Sequence, residues 1–401
     1  SVGAEGGTVV LGSASTVGTN GRLVLMGSIL ELEANLAATG TLGTNHNTTF
    51  TLNGNTLDLS GGRLEVSGAL TLDGLTFDES SVLALNADAT ITSAQPLTLK
   101  TVELGAHRLL LGSATTDLTI SESLTLNYPG ANGLNSGKAD LTFNGPVNVL
   151  SSRIVSSGGI ITFGAESTFS PEQNAGLILQ DSTLNLQVPL AVPGLLSLTG
   201  DFDLQLNGNA LDLSGGGLEL GSDLDLTNLT TDNETDLKLT GDVTLTSDVP
   251  VSLGLVLPNG FTLSLGSTEM ELTARGLSNQ EETTLNSATT TVQLDPVIES
   301  LSGERLADGT LRWTVRVSDD GTFANLSSHW EYLAGDSRTL ENPEYTDLTD
   351  PEQSLGGYGR IQAVMSDYQD TDAGILRVTV CEGATNHIGT CAYGQEASTS
   401  T

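Results

Sequence analysis

LNGNTLDLSGGRLEVSGALTLDGL, residues 52–75, returns as LNGNALDLSGGGLELGSDLDLTNL, residues 206–229. The offset is 206 − 52 = 154 residues. The same offset carries NGRLVLMGSILELEANL (20–36) onto NAGLILQDSTLNLQVPL (174–190). It also carries PLTLKTVELGAHRLLLGS (96–113) onto PVSLGLVLPNGFTLSLGS (250–267). Further upstream, GGTVVLG from Gly6 matches GGIITFG from Gly158 at an offset of 152, so two residues are inserted between. Three separated matches in one register are an internal duplication, and self-similarity of this kind marks a repeat architecture.

Each copy has a finer rhythm. Apolar-x-apolar triplets begin at Leu57, Leu64, Leu70, Leu75, Leu83, Ala89, Leu97, Val102, Leu109, Leu118 and Leu124, with Gly, Asn, Asp or Ser behind them. Such alternation is a short strand with one buried face, and the small polar residues are turns. Every third triplet (Leu57, Leu75, Leu97, Leu118) steps by 18, 22 and 21 residues. Three strands per coil is the arithmetic of a triangular, parallel β-solenoid. It predicts an all-β chain with about 14 rungs over roughly 290 residues, each rung hydrogen-bonded to its neighbours about 4.8 Å away. The solenoid is expected over residues 1–277, as copies at 1–155 and 156–277. An antiparallel sandwich is the rival, because Asn53-Gly54, Asn144-Gly145 and Asn207-Gly208 are the dipeptides that close hairpins.

Composition narrows the function classes. Asp and Glu number 49 against 14 Lys and Arg, a formal net charge of −35. A chain so acidic repels phosphate backbones and anionic lipid, so neither nucleic acid nor a membrane surface is expected as partner. No apolar run reaches the length of a membrane-spanning helix, so membrane insertion is not expected. Aromatics are 4% of residues, too few for a thick globular core and sufficient for narrow strands carrying leucine. Ser1-Val2-Gly3 reads as a processed or truncated start. The two cysteines, Cys381 and Cys391, lie close together in an otherwise thiol-free chain. That predicts a disulfide and an oxidising, extracellular setting.

The text LNGNTLDLSGGRLEVSGALTLDG resembles the passenger regions of bacterial filamentous-haemagglutinin-type adhesins and autotransporters, over residues 1–275. The resemblance implies a right-handed β-helix, export to the cell surface, and adhesive or scaffolding work. It brings no site residues with it.

The rhythm stops after Gly276, and 278–291 (SNQEETTLNSATTT) reads as a linker or a last rung. From Val292 the composition shifts, with both tryptophans and five of six tyrosines in 292–401. Strands are expected at 311–317, 328–333, 360–364 and 375–380, the set of a small β-sandwich. The layout resembles bacterial Ig-like modules of the polycystic-kidney-domain type. In those modules a tryptophan strand precedes a Gly-x-Leu-x-Val-x-Val strand; here His329-Trp330-Glu331-Tyr332 stands where the family carries Trp-Asp-Phe-Gly-Asp-Gly. Trp330 is expected as a core anchor.

Candidate chemistry is sparse. Asp232, Glu234 and Asp236 form one acidic turn and Asp367, Asp370 and Asp372 another. Each places carboxyl oxygens at nearly alternate positions, the donor set of a hard cation, so calcium is the one cofactor considered; a solvated acidic turn is the alternative. The four histidines are scattered, and His107 aligns with Phe261 in the second copy, as expected of a packing or turn residue. Parallel β-helix enzymes of the pectate-lyase type gather carboxylates and a basic residue on one face. Here Asp58 and Glu65 recur as Asp212 and Glu219, but Arg63 and Lys100 align with Gly217 and Gly254. An acid repeated without its base is expected to be a solvated strand face, so no enzyme is expected. The threonines are expected not to keep register from rung to rung, which argues against an ice-binding ladder. Asn47, Asn228, Asn233 and Asn325 open Asn-x-Ser/Thr sequons, which carry glycans in a host that reads them.

The expected protein is therefore a secreted structural element: a filament subunit, matrix fibre or adhesin stalk. Rungs begin at Gly6 with no polar cap before them, so copies of the chain are expected to stack head to tail. The alternative is a carbohydrate-binding fibre that recognises a surface polysaccharide.

Overall fold

The structure is a computed structural model that describes residues 1–45, 47–127, 132–171, 174–266 and 271–277. Beyond these it describes the backbone of the strands from Leu285–Asn286 to Glu396–Ser398. Described secondary structure is all β, with no helix. The chain divides into two compact units, Ser1–Leu224 with Asn228–Thr231, and Asp225–Thr227 with Asp232–Thr401.

The first unit is a parallel β-solenoid. Its triplets become short strands such as Leu97–Leu99, Leu118–Ile120 and Leu141–Phe143, each buried at its ends and outward at its centre. Successive coils pair in parallel and in register, Leu36 with Leu57, Leu57 with Leu75, and Leu97 with Leu118. One coil supplies three strands: Arg22–Met26, Ile29–Leu32 and Leu36–Ala38 each pair with the next coil on a separate ladder. The hairpin rival is overturned for these residues, since every described pairing up to Gly217–Leu220 is parallel.

Inward residues form stacked columns. Leu23, Leu42, Leu64 and Leu83 are register partners in sequence, and all are buried. Each fully buried leucine contributes about 1.5–3 kcal/mol, so the column is a sum of neighbour terms. Phe143 and Phe163 are register partners with ring centroids 5.2 Å apart, and Phe169 meets Phe163 edge-on at 6.2 Å. Three of the six phenylalanines of this unit thus meet across neighbouring coils.

The corners explain why Asn-Gly misleads. Asn53 and Gly54 have φ of 50° and 80°, and Asn207 and Gly208 have 53° and 79°. Positive φ at both central residues is the turn chosen by two-residue hairpins, and glycine takes it without a Cβ penalty. Here Asn55 N–H donates to Leu52 O and Asn209 N–H to Leu206 O, closing the turn between coil strands. The turn chemistry is that of a hairpin, but the strands it joins each pair with another coil.

In the second unit parallel pairing also governs the part nearest in sequence. Val251–Leu257 pairs with Asp236–Leu239 and with Glu271–Leu277, which pairs in turn with Thr291–Leu294. Leu285–Asn286 likewise pairs in parallel with Leu263–Leu265. From Val297 the pairing is antiparallel. One sheet orders Val297–Arg305, Leu311–Asp319, Gly357–Met365 and Tyr345–Leu348; the other joins Leu326–Tyr332, Ile375–Glu382, Cys391–Ala392 and Glu396–Ser398.

Candidate functional site

The acidic turn at Asp232 is built like the turn at Asp78. Asp78 Oδ1 accepts from the N–H groups of Gly61 and Ser80 at 3.0 Å and from the Ser80 and Ser81 hydroxyls at 2.8 and 2.9 Å. Burial alone would raise the Asp78 pKa; the Gly61 N–H and the serine donors outweigh it and hold the carboxyl at about 2. Residue 78 + 154 is Asp232, whose Oδ1 accepts from Glu234 N–H at 3.0 Å and the Thr235 hydroxyl at 2.9 Å. Asp236 Oδ1 accepts from Leu255 N–H at 2.8 Å. Two of the three calcium candidates thus serve backbone groups, and no cluster of three or more metal-binding side chains occurs among the described residues. Asp367, Asp370 and Asp372 lie outside the described residues.

A chain of ion pairs crosses the outer face of the first unit. Arg22 and Arg63 are both register partners of Thr41, and Glu65 and Glu103 both of Ala84. The two columns run side by side, so each arginine reaches across the stack. Arg22 Nη2 meets Glu65 Oε2 at 2.6 Å; Arg63 Nε meets Glu65 Oε1 at 3.3 Å, and its Nη2 meets Glu103 Oε2 at 2.6 Å. The Glu103 hydrogen bond raises the Arg63 pKa, and the same bond lowers that of Glu103. Both groups are thereby held charged, the opposite of what proton transfer near neutral pH requires. Nearby, Lys100 meets Glu122 at 3.5 Å, and Arg108 Nε meets Asp88 at 3.7 Å, with His107 Nδ1 at 3.9 Å from the same carboxylate. The positions 154 residues on from Arg22, Arg63 and Lys100 are Gly176, Gly217 and Gly254, so no cation stands at that offset to repeat these ion pairs.

His107 sits in a corner turn, its N–H donating to Leu104 O, as Phe261 N–H does to Pro258 O. His46 and His387 lie outside the described residues; His329 is placed only by its strand, opposite Thr379.

The expectation about threonine is corrected. Thr98, Thr119, Thr142 and Thr162 are consecutive register partners, followed by Asn185 and Gln205. Thr98, Thr119 and Thr142 stand outward between pairs of buried apolar residues on one ladder, whereas Thr162 is buried and accepts from Asn185 Nδ2 at 3.2 Å. Spacings of 21, 23 and 20 residues hid the column, because corner loops of unequal length absorb the differences. The ion-pair chain was equally illegible: its partners are 43 and 40 residues apart, and only the pairing register brings them together.

Cys381 and Cys391 are register partners across the antiparallel pair Ile375–Glu382 and Cys391–Ala392. Compared with known proteins, the chain matches no family model, and no curated protein or solved structure is significantly similar to it.

Proposed function

We propose that this chain is an extracellular, non-catalytic structural protein, a subunit of a surface filament or matrix fibre that stacks with copies of itself. The observation that carries the proposal is where the polar side chains are used. Asn53 and Asn55 donate to Leu32 O, and Asn207 and Asn209 donate to Leu186 O, each one coil away. Asp88 accepts from Arg108 N–H, Asp140 from Ile160 N–H and Asp181 from Asp201 N–H, again across one coil. Groups that would serve a ligand serve the stack instead. A stack whose coils repeat one pairing geometry accepts a coil from another copy on the same terms, and such head-to-tail contacts propagate as an open fibre.

The finer architecture belongs to the same reading: right-handed winding, two copies of one ancestral segment, and an Ig-like sandwich formed by the two antiparallel sheets beyond Val297. Equal offsets support the duplication, since Leu36↔Leu57 and Leu57↔Leu75 recur as Leu190↔Leu211 and Leu211↔Leu229. Calcium has no supporting geometry in the described residues and forms no part of the proposal.

Electron microscopy of the purified chain, with light scattering across a concentration series, tests the assembly. Concentration-dependent fibres are expected. A monomer at the highest concentration reached overturns it.

A second reading, a fibre that binds surface polysaccharide, is favoured by the Thr98–Thr119–Thr142 column, a file of hydroxyls at regular rung spacing. A glycan array compared with the Thr119→Val and Thr142→Val double variant decides it. Binding that the double variant leaves unchanged removes the column from consideration.

A further inference from the structure

We propose that Asn144 is the chemical clock of this chain, the residue whose side-chain amide is lost by cyclisation onto the nitrogen of Gly145. Six Asn-Gly pairs occur, at Asn20, Asn53, Asn132, Asn144, Asn207 and Asn259. A following glycine favours the reaction because no side chain obstructs its nitrogen. In sequence, therefore, the six sites are alike. The fold separates them by two requirements: the asparagine side chain must be free to swing toward the next nitrogen, and that N–H must not be donating.

Three sites fail the first requirement. The Nδ2 groups of Asn53, Asn207 and Asn259 donate to the carbonyls of Leu32, Leu186 and Leu239 at 3.3, 3.1 and 3.0 Å. All three backbones are held at positive φ, 50°, 53° and 52°. Asn20 fails the second, because Gly21 N–H donates to Gly18 O at 2.6 Å. Asn132 opens the strand Asn132–Gly137 and pairs with Arg153.

Asn144 meets both. It is exposed on a bend between the strands Leu141–Phe143 and Val147–Val149. Among the described residues its one hydrogen bond is from its own N–H to Ile120 O at 2.9 Å, and Gly145 N–H donates to nothing. In the reaction the Gly145 nitrogen loses its proton and bonds to Asn144 Cγ. The Cγ–Nδ2 bond breaks and the amide leaves as ammonia. Water then opens the five-membered imide at Cγ, giving aspartate, or at the main-chain carbonyl, giving isoaspartate. Water is the only co-reactant.

The position makes the damage structural. A Cβ at residue 145 would run into the backbone of Glu122, so the corner has no spare room. Isoaspartate inserts a methylene into the main chain there, beside the bonds from Asn144 N–H to Ile120 O and from Leu124 N–H to Pro146 O. The rung should open at that corner.

The test is a peptide map of the native chain held at mildly alkaline pH, with an identical sample in urea. In the native sample, conversion of Asn144 should run several-fold faster than that of Asn53, Asn207 and Asn259. In urea the four rates should converge. Asn144→Gln should suppress the first acidic variant seen by isoelectric focusing. Equal rates in the native sample, earlier conversion of Asn53 or Asn207, or an acidic variant that persists in Asn144→Gln would each overturn the proposal.

Discussion

At the scale of single residues, short polar side chains hold this fold at its corners, and their protonation matters. The Asp78 carboxyl is held at about 2, below the ordinary carboxylate range near 4. The folded chain therefore gains stability from it above that range and loses it as the pH falls from about 4 through about 2. The turn is partly exposed, so screening by water limits the effect to about 1 kcal/mol. Asp78→Asn keeps an acceptor and should flatten that acid step in urea unfolding midpoints measured across pH. An unchanged acid step would show that Asp78 does not carry it. Asn55 makes a different prediction: its Nδ2 serves both Leu32 O and Leu52 O. Asn55→Asp sets a carboxylate against two carbonyls and should cost more than Asn55→Ala, itself about 1 kcal/mol. Equal losses would mean that the amide is not the active group.

At the scale of elements, each strand is a few residues long and gains its stability from the strands beside it. Leu64 is fully buried between Leu42 and Leu83, whereas Leu110, on Leu109–Leu111, is 38% exposed. Leu64→Ala should cost about 2–5 kcal/mol and Leu110→Ala well under that. Similar losses at both sites, by chemical denaturation, would contradict the stacked column. The strand pair Ile375–Glu382 and Cys391–Ala392 carries a separate prediction. Directly opposed residues on antiparallel strands have Cα atoms about 4.5–5.5 Å apart, within the range a disulfide spans. Cys381 and Cys391 are opposed in this way. A disulfide there should add about 2–3 kcal/mol by closing a short loop. Intact mass before and after alkylation without reductant checks it, and two alkylated thiols would refute it.

For the whole molecule, charge is the dominant long-range quantity. A net charge of −35 with 14 cations leaves most carboxylates unpaired by any base. Repulsion of that kind is screened within about 8 Å at physiological ionic strength. The Arg22–Glu65–Arg63–Glu103 chain is partly exposed, and surface pairs of this sort are worth about 1 kcal/mol or less each. Relief of repulsion should therefore outweigh the weakening of ion pairs, and the melting temperature should rise with sodium chloride. A fall with added salt, by calorimetry, would place the ion-pair chain above the net charge in importance.

Sequence alone determined the strand class and the winding period, because both follow from local alternation. LTL at 97–99 puts two leucines on one face whatever lies beside it, and Leu57, Leu75, Leu97 and Leu118 reveal the coil by their spacing. The 154-residue offset needed no coordinates either. Tertiary structure decided what depends on register between coils. Corner loops of unequal length break any fixed period, so the threonine file at 98, 119, 142 and 162 emerges only when strands are paired. The same holds for Glu65, which meets Arg22 from 43 residues away. Asn-Gly at 53 and 207 shows the limit most clearly. The dipeptide specifies a local turn with positive φ, but not whether the strands it joins pair with each other or with the coils on either side. That choice is made by burial of the leucine columns, which requires all the coils at once.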